Sequence, residues 1–197
     1  MKQLAAILIC AFCFEAVQAR QVKPEQNFKP VLGLATSYSP SSFRNWGTME
    51  NTQLTLLKVQ YMHTEVEVAS LKAHISSDFI FTGWVYFPID GQDGPKENRF
   101  GIGFTPFRID IPIGKKNHYP FLTSSAGLLF TDRPFPNEEG ARLNFLLDAG
   151  IGYAIQLKNN RHLQLGYKLH HLSNGNTGSL NPGIDSHMFF VNFLFEI

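Results

Sequence analysis

Between Leu143 and Leu157 every odd position is apolar, while Asn144, Asp148, Gly150, Gly152 and Gln156 sit at even positions. A period of two held over this length excludes a helix and predicts a long strand with one apolar and one polar face. The pattern returns at 55–63, where Leu57, Val59 and Tyr61 alternate with Lys58, Gln60 and Met62. It returns again at 163–169, with Gln164, Gly166 and Lys168 on the second face. Strands are predicted at 30–38, 52–64, 67–87, 98–113, 119–131, 141–157, 160–173 and 184–197. Pro, Gly, Asn and Asp clusters at 90–98, 133–140, 158–160 and 174–183 supply turns between several of them. Arg108 and Asp110 interrupt the alternation after Pro106, which predicts a bulge or bend there.

Strands of alternating long and short connection predict an all-β, eight-stranded antiparallel up-and-down barrel. Two kinds of barrel fit, with their faces reversed. A lipocalin-like soluble barrel turns the apolar face inward around a ligand. A transmembrane barrel turns it outward to lipid and fills its lumen with polar and small residues. Strand length favours the second, since several candidates exceed the roughly 9–11 residues a tilted strand needs to cross a bilayer. Arg142, Asp148, Gly150 and Gly152 suit a narrow lumen, and Tyr61, Trp84, Tyr86, Tyr119 and Tyr167 suit interfacial girdles.

Export fits this reading. In residues 1–19, Lys2 precedes an apolar run from Leu4 to Phe14, and Val17, Gln18 and Ala19 form a small-residue cleavage site. The expectation is a cleaved secretory signal peptide at 1–19 and an outer-membrane barrel domain at 20–197. Both cysteines, Cys10 and Cys13, fall in the signal, so the mature chain would carry neither disulfides nor thiolate chemistry. Across the 197 residues the net charge is +1, which argues against a nucleic-acid partner. With no short His-rich spacing, neither a metal nor another cofactor is expected.

Following the apolar face of the seventh strand through Leu163, Leu165, Tyr167 and Leu169 leads to His171 and Ser173. Following that of the eighth strand backwards from Phe193 through Val191 and Phe189 leads to His187 and Asp185. Polar groups on a lipid-facing side are costly. A hairpin brings His171 and Asp185 together, and His171 and Ser173 share a face about 6.5 Å apart along the strand. A histidine that takes a serine proton while a carboxylate orients it is the arrangement of acyl transfer. The plainer alternative is a polar rim meeting headgroups, without chemistry. His170 falls on the opposite face, in the lumen. His187 shares the outer face two residues deeper than Asp185 and ranks behind His171 as a base.

The His171-x-Ser173-Asn174 motif, followed by Asn181-Pro182-Gly183-Ile184-Asp185 and a final aromatic strand, resembles the outer-membrane lipid A 3-O-deacylases. Arg142 to Phe145 and Gly166-Tyr167 add support, and the resemblance runs over 98–197. It implies an esterase in the bacterial outer membrane that removes the 3-O-linked 3-hydroxyacyl chain of lipid A in lipopolysaccharide. Ser173 would be the nucleophile, His171 the base and Asp185 the third member, where the best-known enzymes of the family carry Glu. Asn174 and Gly175 would be oxyanion donors, and Phe145, Leu169 and Phe189 would line the acyl chain. A homodimer, which would cover or regulate a site on the wall, is the one protein partner considered. The alternatives are a structural or adhesion barrel without activity and a soluble periplasmic lipid-binding barrel.

Overall fold

The computed structural model describes residues 29–68, 71–114 and 117–197, so the signal segment and Lys115-Lys116 lie outside the described residues. Eight long strands form: β1 (Val31–Ser39), β3 (Gln53–Val68), β4 (Leu71–Pro88), β5 (Lys96–Pro112), β6 (His118–Phe135), β7 (Ala141–Leu157), β8 (Arg161–Ser173) and β9 (Ile184–Glu196). Each pairs antiparallel with the next, and β1 pairs with β9 to close the barrel. The short β2 (Ser42–Phe43) resumes the pairing with β9 beyond Pro40, which has no N–H to donate. The upper end of the barrel carries segments 44–52, 89–95, 136–140 and 174–183.

Several boundaries differ from expectation. The second long strand, β3, runs on to Val68 instead of stopping at 64, because a register shift between Met62 and Thr64 absorbs the irregularity and pairing continues to Leu71, so that β4 begins at Leu71 and not at 67. The fifth long strand, β6, continues past 131 to Phe135, with an irregularity between Phe130 and Phe135 against β7. The break near Pro106 is present as a register shift between Phe104 and Phe107.

The faces decide the kind of barrel. Leu34 (60% exposed), Phe107 (66%) and Ile151 (60%) lead a band of outward apolar side chains that runs around the wall. A soluble protein rarely leaves an apolar surface of that extent bare. Inside, charged groups are buried in pairs: Lys58 with Asp78 (2.7 Å), Arg108 with Asp110 (3.0 Å), and Lys168 with Asp148. Buried charge is tolerable when partnered in this way. Arg108 also donates to Gln60 (3.2 Å) and Gln164 (3.3 Å), tying three strands across the lumen. The chain is a transmembrane β-barrel, and the soluble alternative with an inward apolar face is overturned.

The lumen is not polar throughout. Towards the upper end Leu54, Leu56, Ile80, Phe87, Leu146, Leu172, Ile184 and Met188 form one buried apolar cluster. These residues share their inward parity with Lys58 and Gln60, so alternation alone does not separate plug from polar network. The plug makes a firm backing for the strands above which the upper segments lie.

Two residues assigned to the lumen or girdles sit elsewhere. Arg142 is exposed, with its guanidinium 4.7 Å from the Phe130 ring centre and Nε donating to the Thr131 carbonyl (3.1 Å), because the β6 irregularity opens the wall there. Tyr119 packs with Phe121, Ala154 and Phe190 instead of joining a lipid-facing girdle.

Candidate active site

The β8–β9 hairpin places His171 directly opposite Asp185 in register. Directly opposed residues have Cβ atoms roughly 4.5–5.5 Å apart, within reach of even a short carboxylate. His171 Nδ1 lies 2.6 Å from Asp185 Oδ1. The other carboxylate oxygen, Oδ2, accepts the Gly47 N–H at 2.6 Å. Asp185 is thereby held at both oxygens and buried, although its neighbours along the outer face, His187 and Phe189, are exposed. A hydrogen bond from the Nδ1–H of His171 to the carboxylate leaves Nε2 as the free basic nitrogen.

The 44–49 segment carries this hold, and sequence reasoning missed it. Thr48 N–H donates to the Pro182 carbonyl (2.6 Å) and Met49 N–H to the Gly183 carbonyl (3.2 Å). Met49 forms an isolated parallel bridge with Ile184 and is buried in the plug. Gly47 touches the 183–184 backbone so closely that a Cβ would come within 2.6 Å of the Gly183 carbonyl group. Trp46 stands edge-on to the His171 ring, centroids 5.9 Å apart. The one signal in the sequence was a Trp followed by Gly in a polar connection. Neither says that the segment returns to a residue 138 positions away.

Ser173 ends β8, half-buried, opposite Phe145 in register. It is two residues beyond His171 and keeps the parity of exposed Leu169. Among the described residues neither its hydroxyl nor His171 Nε2 makes a hydrogen bond, so the structure brings together His171 and Asp185 and sets Ser173 beside them without a direct link. Phe145, Leu169 and Phe189 are all exposed apolar residues on these three strands (42%, 50% and 54%).

Asn174 is buried and organises the following loop. Its Nδ2 donates to the Leu180 carbonyl (2.8 Å), its Oδ1 accepts from Asn176 N–H (2.9 Å), and its own N–H donates to Asn181 Oδ1 (3.0 Å). Gly175, Asn176 and Gly183 adopt positive φ (62°, 63° and 64°), the left-handed turns that glycine and asparagine favour. Leu180 N–H then donates to the Glu139 carbonyl (2.8 Å), so the loop leans on its neighbour.

His170 points inward, its side chain fully buried, with Nδ1 3.6 Å from Asp148 Oδ2. His187 is exposed on the outer wall. Its Nδ1 is hydrogen-bonded to the Tyr167 hydroxyl, and its ring stacks on Phe43 at 4.3 Å.

Fold and hairpin together define a transmembrane barrel that carries an imidazole–carboxylate pair at one rim, beside a serine. The family model "Lipid A 3-O-deacylase (PagL)" matches residues 32–193, and the chain belongs to that family. Among solved structures, "Crystal structure of the outer membrane enzyme PagL" superposes with a TM-score of 0.59 at 14% identity, covering 84% of this chain and 99% of that one. At that identity the likeness bears on the fold. No curated protein matches the chain.

Proposed function

We propose that this chain is an outer-membrane serine esterase that hydrolyses the ester-linked 3-hydroxyacyl chain at the 3-O position of lipid A. The observation that carries the reading is the His171–Asp185 contact of 2.6 Å beside Ser173, in a member of this family. The catalytic group is Ser173, His171 and Asp185 on the barrel exterior, reached by a substrate that diffuses in the same leaflet. An enclosed pocket is unnecessary for such a substrate.

Ser173 Oγ attacks the ester carbonyl while His171 Nε2 takes its proton. A rotation of the serine side chain brings the hydroxyl to Nε2, and catalytic hydrogen bonds of this kind often form only with substrate bound. Asp185 stabilises the imidazolium and holds the ring in its tautomer. The oxyanion is met by the Gly175 N–H and by the second Nδ2 hydrogen of Asn174, the first being held by the Leu180 carbonyl. Imidazolium then returns the proton to the departing sugar hydroxyl, and water, activated by the same nitrogen, releases the fatty acid from Ser173. The acyl chain lies against Phe145, Leu169 and Phe189, where exclusion of water strengthens every polar contact above it.

Export through a signal at 1–19, leaving 20–197 as the barrel domain, belongs to the same proposal. The test is mass spectrometry of lipid A incubated with the detergent-refolded chain. The native protein should remove one 3-hydroxyacyl chain and Ser173→Ala none, while both keep the heat-modifiable mobility of a folded barrel. Equal products from both proteins would remove Ser173 from the mechanism.

A further inference from the structure

Phe145 lies level with Ser173, and Leu169 and Phe189 lie deeper in the wall, so these three serve the acyl half of the proposed substrate. None of them meets the alcohol half. The departing alcohol oxygen takes its proton from His171 Nε2 and therefore sits about 3 Å from that nitrogen. The group that bears this oxygen touches whatever flanks the imidazole on its upper side.

Trp46 stands there. Its indole meets the His171 ring edge to face, with centroids 5.9 Å apart and planes at 74°. An edge contact leaves the rest of the indole open, and the residue is 56% exposed. The backbone that carries it is tied to the same hairpin. Gly47 N–H donates to Asp185 Oδ2 (2.6 Å), and Thr48 N–H donates to the Pro182 carbonyl (2.6 Å). Pro182 precedes β9 at its upper end, so the indole stands on the headgroup side of His171 and Asp185.

The second tryptophan shows the contrast. Trp84 Nε1 donates to Asn98 Oδ1 (2.7 Å), and its ring stacks on Tyr86 at 5.8 Å. That is a girdle residue satisfied by its own neighbours. Trp46 Nε1 has no acceptor among the described residues. An open aromatic face with a free N–H at its edge fits a sugar. The C–H bonds on one face of a pyranose are positively polarised and meet the negative face of an aromatic ring, while its oxygens accept from the N–H.

We infer that Trp46 is the sugar subsite: its indole packs on the glucosamine ring that carries the ester, and Nε1 donates to an oxygen of that sugar, so that O3 is held towards His171 Nε2. The inference rests on the esterase reading above and adds to it a residue on the leaving-group side.

The test uses the full chain in mixed micelles with lipid A and with the glycerol ester of the same 3-hydroxyacyl chain. The readout is the ratio of kcat/KM, lipid A over glycerol ester. Trp46→Leu should lower the ratio about tenfold, mainly through KM for lipid A, and Trp46→Phe, which keeps an aromatic face, about threefold. A second readout needs no turnover. In Ser173→Ala with Trp84→Phe, Trp46 is the one tryptophan left in the chain, and its emission should shift with lipid A and stay unchanged with the glycerol ester. A ratio unchanged in Trp46→Leu, or an emission that responds alike to both esters, would overturn the inference and leave the esterase reading intact. With both rates native Trp46 is a membrane anchor, and with both lowered alike it is a support for His171. Failure of the native chain to cleave lipid A would overturn that reading and this one with it.

Discussion

His170 and His171 are neighbours in sequence, and each lies near an aspartate, yet they belong to different chemistries. His170 sits in the lumen with its side chain fully buried, 3.6 Å from Asp148, whose carboxylate is also engaged by Lys168. His171 lies on the other face, its side chain 22% exposed and 2.6 Å from an aspartate that no lysine shares. A backbone N–H from Gly47 takes the second oxygen there. The lumen cluster neutralises charge where nothing enters. The rim pair leaves one imidazole nitrogen without a hydrogen bond among the described residues. Access and tautomer, more than the presence of histidine and aspartate, separate a structural pair from a reactive one.

Breaking the two pairs should give opposite outcomes. Removing one partner of a buried ion pair leaves the other charge stranded, at about 3–5 kcal/mol. Asp148→Ala should therefore unfold at markedly lower urea concentration or lose heat-modifiability. Asp185→Asn should leave the urea midpoint close to native and lower kcat about 10³-fold, as when the orienting carboxylate of such a group is neutralised. Gly47→Ala forces the backbone at 183–184 apart and lengthens the bond to Asp185, so kcat should fall about tenfold with KM little changed. His170→Gln should change kcat by less than about twofold, since neither ring nitrogen of His170 has a hydrogen-bond partner among the described residues. A large loss of rate in His170→Gln with normal stability would erase the distinction between the two pairs.

Much of this arrangement was legible before the structure. Alternation marks the strands because a barrel wall must present lipid on one side and a filled lumen on the other. Extending that parity to the end of β8 and the start of β9 aligns His171 with Asp185, since a hairpin preserves register across its loop. Parity is blind to what fills the lumen, so the apolar plug of Leu54, Leu56 and Leu146 was invisible beside Lys58 and Gln60. It also fails where strands bulge, which is why Arg142 lies against Phe130 on the outside. The grip of Gly47 on Asp185 depends on chain closure between β1 and β9, the most distant pairing in the sequence. No local pattern encodes it.

That grip also bears on the shorter acid. Asp185 reaches His171 because the two are directly opposed, and the Gly47 N–H meets its second oxygen at that length, 2.6 Å away.

The central claim is that Ser173 is a nucleophile activated by His171 on the lipid-facing wall. Intact-protein and peptide mass spectrometry after treatment with a long-chain alkyl fluorophosphonate tests it most directly. The account predicts one adduct per chain, on Ser173, that is absent in Ser173→Ala and strongly slowed in His171→Asn. A folded native barrel that takes up no adduct, or takes it up at another residue, would contradict it.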